Sequence, residues 1–210
     1  MADAKICGIT TPDALDAAIA GGARYVGFVV YPNSPRHASR GTLAALSQRA
    51  RGRAEIVAVT VDANDELLQL VYDYAQPDWI QLHGRESPGQ VANARRYAHQ
   101  GAIKAIGVAG RADLAQAAAY AQVADLLMFD AKPPPGGLPG GNALAFDWGV
   151  LAGQALPKPW FLSGGLTPEN VREAIAASGA ALVDVSSGVE SAPGLKDPAR
   201  IAQFLAAVRS

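Results

Sequence analysis

Short, continuous runs of hydrophobic residues recur along the whole chain, and segments with helical spacing separate them. The runs show little alternation between hydrophobic and polar positions, which is typical of parallel strands that are buried on both faces. Eight of them predict β-strands: Ala4–Ile9, Tyr25–Val30, Ile56–Val61, Trp79–Leu82, Ile103–Val108, Leu126–Phe129, Trp160–Leu162 and Leu182–Val185.

The segments between the predicted strands are rich in alanine and leucine and have the spacing of amphipathic helices. The clearest helical segments are Leu43–Arg49, Glu66–Tyr74, Leu114–Tyr120, Glu169–Ala177 and, at the end of the chain, Pro198–Val208. Residues that can cap a helix N-terminus precede several helices: Ser39, Asn64, Ser87, Thr167 and Asp197. We expect Pro168 to take the first helical position after Thr167.

Eight strand–helix units share the 210 residues, so that each unit has about 26 residues. This repeat predicts an α/β fold, a (β/α)₈ TIM barrel, with residues 1–210 in a single domain. A doubly wound open sheet also alternates strands and helices and is the alternative. No Gly-x-Gly-x-x-Gly motif follows the first strand, which disfavours a dinucleotide-binding sheet.

Composition narrows the class of function. The net charge is −1 and no run of like charges appears, so nothing favours binding to nucleic acid or to a membrane surface. No long apolar segment precedes the first strand, and we expect a cytoplasmic protein without a secretory signal. A single cysteine, Cys7, allows no internal disulfide.

A long connection rich in proline and glycine runs from Lys132 to Ala145, after the sixth predicted strand. Neither flank could be a complete domain, so a linker between domains is disfavoured. A long loop at the carboxyl end of a barrel strand predicts an active-site lid, which glycines allow to hinge.

In a (β/α)₈ barrel, the carboxyl ends of the strands carry the active site. Cys7 lies at the end of the first predicted strand and Asp130 follows the sixth. Taken alone, a cysteine is most often an inert core residue, and an aspartate after a strand is often a cap or turn former. Together they predict a catalytic pair, since a substrate held between them can gain one proton and lose another. Lys5 shares a face with Cys7, and we hypothesise that its charge favours the thiolate.

Glycine- and serine-rich turns follow the seventh and eighth strands, where barrels of this kind bind phosphate. Gly164 and Gly165 lie in the first turn, and Ser186, Ser187 and Gly188 lie in the second. Glycine lets the backbone approach an anion closely, and serine adds hydroxyl donors. Either turn alone could be ordinary, but both together predict a phosphate site.

Four further side chains at the strand ends are candidates for substrate binding. Arg36 lies in a proline-stiffened loop and is predicted to hold a planar carboxylate, with a solvated charge as the alternative. Gln81 and His83 share one face of the fourth strand, where His83 could contact substrate or carry protons, and Asp184 ends the eighth strand. No residues have the spacing of metal ligands, so we expect no metal. The sequence context of a Ser-His-Asp nucleophile is also absent.

Several short motifs, spread in order from residue 5 to about residue 197, carry a family resemblance. They are Lys5–Thr10, Gly27–Val29, Tyr31–Arg36, Gln81–Gly84, Phe129–Asp130, Phe146–Trp148, Leu162–Leu166 and Val183–Glu190. In this order they resemble the phosphoribosylanthranilate isomerase family. The family's lid often reads Gly-Gly-Thr-Gly, whereas this chain has Gly140-Gly141-Asn142-Ala143.

The resemblance implies a (β/α)₈ barrel isomerase of tryptophan biosynthesis that uses no cofactor. Its substrate would be N-(5-phosphoribosyl)anthranilate, converted by an Amadori rearrangement to 1-(2-carboxyphenylamino)-1-deoxyribulose 5-phosphate. By resemblance, Cys7 is the general base and Asp130 the general acid, Arg36 meets the anthranilate carboxylate, and Asp184 lies near the ribose hydroxyls. Also by resemblance, the phosphate is held by Gly164, Gly165, Ser186 and Ser187.

The partner is thus a small phosphorylated sugar–anthranilate, and we expect a monomer or a homodimer. Other functions stay open. One is another phosphate-binding barrel isomerase, such as that of histidine biosynthesis, although that enzyme carries aspartate where Cys7 stands. Covalent catalysis by the cysteine and a non-catalytic phosphate-sugar binder are the others.

Overall fold

A closed barrel of eight parallel strands forms the centre of the computed structural model, which describes residues 2–132 and 145–210. The strands follow chain order around the barrel, and the first pairs with the last, so that no strand edge is left open. They are β1 (Asp3–Cys7), β2 (Tyr25–Val29), β3 (Glu55–Thr60), β4 (Trp79–Leu82), β5 (Gly101–Val108), β6 (Leu126–Ala131), β7 (Trp160–Leu162) and β8 (Leu182–Val185). The predicted TIM barrel is confirmed and the open sheet is excluded.

Helices surround the barrel: α1 (Pro12–Ala20), α2 (Arg40–Ala50), α3 (Asp65–Ala75), α4 (Pro88–Ala94), α5 (Gln116–Tyr120), α6 (Val171–Ser178) and α7 (Pro198–Arg209). The expectation of a helix after every strand is wrong for β6 within the described residues, where only a 3₁₀ turn at Trp148–Leu151 follows. The predicted helix Leu114–Tyr120 is also divided, since its start belongs to a 3₁₀ turn at Arg111–Ala115. The predicted lid falls on residues 133–144, which lie outside the described residues.

Four of the five predicted helix caps are confirmed. The side chains of Ser39, Asn64, Ser87 and Asp197 each accept a hydrogen bond from a backbone amide in the first turn. The Thr167 cap is wrong, because α6 begins only at Val171.

The side chain of Asn170 explains the later start of α6. It accepts from the amide of Thr167 at 2.8 Å and donates to the carbonyl oxygen of Gly165 at 2.9 Å. These two bonds hold the residues before α6 in a turn, so that Pro168 stays outside the helix.

The strands bury both faces. Outward side chains pack with the helices in one large hydrophobic core, whereas inward ones form a second cluster that includes Cys7, Tyr25, Trp79, Met128 and Phe161. The barrel interior also holds polar side chains that have no exposure or almost none: Lys5, Gln81, Asp184 and Ser163. Buried polar groups need partners, and those partners define the site.

The loop after β4 is fixed by a buried ion pair between Lys104 on β5 and Glu86. Lys104 Nζ lies 2.7 Å from Glu86 Oε2 and donates to the carbonyl oxygens of Leu82 and Gly84 at 3.3 and 2.7 Å. Glu86 Oε1 accepts from the backbone amides of Asp62 and Gly84 at 2.9 and 3.0 Å. The pair therefore ties together the chain on both sides of His83.

A two-stranded hairpin lies between β8 and α7 and was not predicted. It consists of antiparallel β9 (Glu190–Ala192) and β10 (Leu195–Lys196). Its turn contains Gly194 at φ +84°, a left-handed conformation that favours glycine.

Within residues 2–132 and 145–210, no helix is both long enough and apolar enough to cross a membrane.

Candidate active site

Cys7 ends β1 and is buried in the inward cluster. Lys5 lies two residues earlier on the same face, and Gly27 on β2 leaves room for both side chains. A Cβ atom on Gly27 would lie 3.1 Å from Cys7 Sγ and 3.1 Å from Lys5 Nζ. The ammonium group predicted beside the thiol is therefore present.

Burial raises the pKa of the Cys7 thiol, and the nearby Asp184 carboxylate adds to the rise. Lys5 and, more weakly, Lys196 lower the pKa but do not outweigh the burial. The hypothesis that Lys5 favours the thiolate stays a prediction, and the pKa of Cys7 lies above its ordinary value. Burial also acts to lower the pKa of Lys5, but Asp184 and Cys7 raise it above the ordinary value, so Lys5 stays charged.

Asp130 lies near the end of β6 and is buried. Its Oδ1 accepts from the amide of Ala131 at 2.9 Å, and its Oδ2 accepts from His83 Nε2 at 3.1 Å. Gln81 Nε2 donates to His83 Nδ1 at 2.9 Å, which places the imidazole proton on Nε2. The fourth strand therefore fixes the direction of the Asp130 carboxyl group through His83.

The strands that carry Cys7 and Asp130 are separated around the barrel by β7 and β8 alone. The turn after β8 contacts Cys7, and the turn after β7 lies next to Asp130. Ser186 Oγ donates to the carbonyl oxygen of Cys7 at 3.1 Å, and a Cβ on Gly164 would lie 3.2 Å from Asp130 Oδ1. The predicted thiol, carboxyl and phosphate turns thus share one sector of the barrel mouth.

The two predicted phosphate turns also touch each other. A Cβ on Gly188 would collide with the carbonyl oxygen of Leu166 in the neighbouring turn. Gly164 and Gly165 have φ angles of +87° and +69°, and their amide nitrogens donate to no other described residue. Close, glycine-lined backbone is the chemistry that binds phosphate.

Arg36 is buried above the loop that follows Cys7. Its Nε and Nη2 donate to the two carboxylate oxygens of Glu190 at 2.7 and 2.8 Å. Its aliphatic stem covers Gly8, where a Cβ would approach Arg36 Cδ to 2.7 Å. A solvated charge is excluded, and the guanidinium is held next to the catalytic sector.

Asp184 has both carboxylate oxygens occupied inside the barrel. Oδ1 forms an ion pair with Lys5 Nζ at 2.7 Å, and Oδ2 accepts from Ser163 Oγ at 3.0 Å. Its predicted place near the ribose hydroxyls stays a prediction.

Sequence reasoning counted Ser163 only among the residues of the first phosphate turn and assigned no role to two polar residues that the structure brings to the site, Glu190 and Lys196. Pro193-Gly194 is a turn signal that could have indicated the hairpin. Nothing in the sequence indicates that the charged side chains of the hairpin, Glu190 and Lys196, are buried. In the described part of the chain, no three His, Cys, Asp or Glu side chains are arranged to hold a metal ion.

Comparison with known proteins gives one answer. The family model of N-(5'-phosphoribosyl)anthranilate (PRA) isomerase matches residues 4–207. The N-(5'-phosphoribosyl)anthranilate isomerase of Rhodospirillum centenum is 52% identical over 204 residues, which cover 96% of this chain and 95% of that protein.

Solved structures agree with the sequence comparison. The crystal structure of phosphoribosyl anthranilate isomerase from Thermotoga maritima matches with a TM-score of 0.89 and 34% identity, over 100% of this chain and 99% of that one. A second crystal structure holds the family's enzyme in complex with reduced 1-(o-carboxyphenylamino)-1-deoxyribulose 5-phosphate. It matches with a TM-score of 0.84 and 33% identity, and covers 100% and 99% of the two chains. On its sequence and its fold, this chain belongs to the N-(5'-phosphoribosyl)anthranilate isomerase family.

Proposed function

We propose that this chain converts N-(5-phosphoribosyl)anthranilate to 1-(2-carboxyphenylamino)-1-deoxyribulose 5-phosphate in tryptophan biosynthesis, with Asp130 as general acid and Cys7 as general base. Family membership over residues 4–207 supports the reaction. The observation that carries the assignment of residues is the contact of both groups with the paired phosphate turns. A phosphate held in those turns would place the attached sugar within reach of both.

The first step opens the ribose ring. Asp130 gives its proton to the ring oxygen, and the lone pair of the anthranilate nitrogen forms the C=N bond as the C–O bond breaks. The product is an iminium ion with a free sugar hydroxyl. His83 holds the Asp130 carboxyl group in the direction this transfer needs.

The second step moves the double bond. The iminium ion acidifies the neighbouring carbon, and the Cys7 thiolate removes its proton while the electron pair flows to nitrogen. The resulting enolamine tautomerises to the ketose. Because the iminium ion itself accepts the electrons, the chemistry requires neither a metal nor a cofactor.

The remaining candidates bind the substrate in this proposal. Arg36 meets the anthranilate carboxylate, since a guanidinium matches a planar anion. Gln81 and His83 line the sugar site, and Asp184 acts near the ribose hydroxyls. The phosphate is held by Gly164, Gly165, Ser186, Ser187 and Gly188.

Two substitutions test the assignment. We expect Cys7→Ala and Asp130→Asn each to lower kcat by roughly 10²–10⁴-fold, the usual contribution of a placed acid or base. Binding of the reduced product analogue, measured by fluorescence titration, should change little. Asp73→Asn, on the outer surface of α3, is the matched control and should keep full activity. Near-normal turnover of either site variant would reject the assignment of Cys7 and Asp130 as the catalytic pair. If the unmodified protein bound the analogue but did not turn over the substrate, the protein would be a binding protein and not an enzyme.

We also propose a cellular location and an oligomeric state. The substrate carries phosphate and carboxylate charges that cannot cross a bilayer unaided, which favours the cytoplasm. Among the described residues, the only large hydrophobic side chains that are exposed are Tyr74 and Leu195. So little exposed apolar surface favours a monomer over a homodimer.

A further inference from the structure

The hairpin between β8 and α7 directs two charged side chains inward. Glu190 and Lys196 are register partners on β9 and β10, and their side chains are 5% and 0% exposed. The hairpin turn packs on the loop of Arg36, because a Cβ on Gly194 would collide with the carbonyl oxygen of Pro35. Both the charged ends and the turn of the hairpin thus contact the surroundings of Arg36.

Glu190 is shared between two cations. One side of its carboxylate group takes two parallel bonds from Arg36, and Lys196 Nζ lies 2.6 Å from Oε1. Lys196 also donates to the carbonyl oxygen and the hydroxyl of Ser186 at 3.0 and 3.2 Å. Three acceptors around Nζ match the three protons of an ammonium group.

The charge states follow from the same contacts. Burial acts to raise the pKa of Glu190, but Arg36 and Lys196 lower it below the ordinary value, so the carboxylate is ionised. Burial lowers the pKa of Lys196 against the opposing effect of Glu190. The three acceptors around Lys196 Nζ favour the ammonium form, so two cations and one anion leave the cluster with one positive charge. Glu190 therefore orients Arg36 without cancelling its attraction for an anion.

The cluster is also connected to the catalytic strand. Ser186, which accepts from Lys196, donates through its hydroxyl to the carbonyl oxygen of Cys7. Arg36 lies over Gly8, the next residue. The position of the guanidinium is therefore defined relative to the thiol.

We propose that Glu190 and Lys196 are positioning residues that hold Arg36 in the orientation that accepts the carboxylate of the substrate. They thereby make the enzyme selective for an arylamine that bears this carboxylate. This inference rests on the proposed function, in which Arg36 meets the anthranilate carboxylate. The long arginine side chain loses its rotational freedom on folding, so it does not lose it again on binding.

A pair of ligands separates this role from a purely structural one. The first is the reduced product analogue, and the second is the same phosphosugar with aniline in place of anthranilate, which lacks the carboxylate. We define the Kd ratio as the Kd of the aniline ligand divided by the Kd of the reduced product analogue. This ratio isolates the carboxylate contact, because effects on the phosphate turns change both affinities alike. A hairpin that only stabilises the fold would leave the ratio unchanged.

We expect Glu190→Gln to reduce the Kd ratio roughly tenfold, the effect of weakening one hydrogen bond to a charged group. In steady-state kinetics KM should rise by more than kcat falls. Glu66→Gln, exposed on α3, is the matched control and should leave the ratio unchanged.

The double variant Glu190→Gln/Lys196→Met restores a single positive charge, that of Arg36, and keeps the test available if Glu190→Gln alone does not fold. Its ratio should remain reduced, because the carboxylate that takes two parallel bonds from Arg36 is lost. A wild-type ratio in either variant would overturn the proposal. If the unmodified protein itself does not discriminate between the ligands, the proposed function fails instead.

Discussion

At Cys7, burial and neighbouring charge act in opposite directions. The thiol is 6% exposed, and that burial raises its pKa, whereas Lys5 lowers it. A base must be deprotonated to act, so the raised pKa places the formation of thiolate on the alkaline side of neutrality.

We expect Lys5→Met to raise the pKa of Cys7 further, because the substitution removes the charge that opposes burial. The single cysteine allows a direct titration, in which the ultraviolet absorbance of the thiolate is followed against pH and a Cys7→Ser variant supplies the background. Lys158→Met, before β7, is the control and should leave the midpoint where it was. An unchanged or lower midpoint in Lys5→Met would show that Lys5 does not act on the thiol.

Single residues were predictable where a strand end alone determines their place. Cys7, His83 and Asp130 follow from the rule that barrel chemistry lies at the carboxyl ends of strands. The bond of Arg36 to Glu190, 154 residues later, could not be predicted, since it depends on how two loops meet. The predicted carboxylate clamp therefore lacked the partner that orients it.

Among the elements, the loop after β4 depends most on one buried ion pair. Lys104 and Glu86 are 2% and 1% exposed, and both are saturated with hydrogen bonds around His83. A buried charge that loses its partner is costly, whereas the loss of both charges together is tolerated better.

Lys104→Met should lower the free energy of unfolding by about 3–5 kcal/mol, because Glu86 is left buried without its counter-charge. Lys104→Met/Glu86→Gln should recover part of that loss. Urea denaturation followed by fluorescence measures both, with Lys132→Met, whose side chain is 58% exposed, as the control. If the double variant were less stable than the single one, the pair would not be the source of the effect.

Elements were predictable where the hydrophobic pattern is continuous. The strands Trp79–Leu82, Trp160–Leu162 and Leu182–Val185 have the predicted bounds. The start of α6 was mispredicted because the side chain of Asn170 bonds to the preceding turn, a local competition that periodicity does not record. The short strands β9 and β10 have too few residues to show a pattern.

For the whole molecule, closure of the sheet makes distant segments depend on one another. β1 pairs with β8 over four residue pairs, and Lys5 binds Asp184 inside the barrel. We propose on this basis that residues 1–210 form a single domain, as the length and repeat predict.

We expect one cooperative transition on urea unfolding, with circular dichroism and tryptophan fluorescence giving the same midpoint. Trp79 lies on β4 and Trp160 lies on β7, so fluorescence samples one strand from each half of the chain. Two separate midpoints would show that the halves unfold independently and would contradict the single domain.

The pairing of the first strand with the last also has a consequence for synthesis. The ribosome makes Lys5 179 residues before Asp184, an interval of roughly 10–35 s at ordinary elongation rates. During that interval one edge of β1 has no partner strand, and Lys5, which is buried in the folded protein, lacks its counter-ion Asp184. The nascent chain is therefore exposed to aggregation until β8 has been made, and products truncated before β8 are expected substrates for chaperones and proteases.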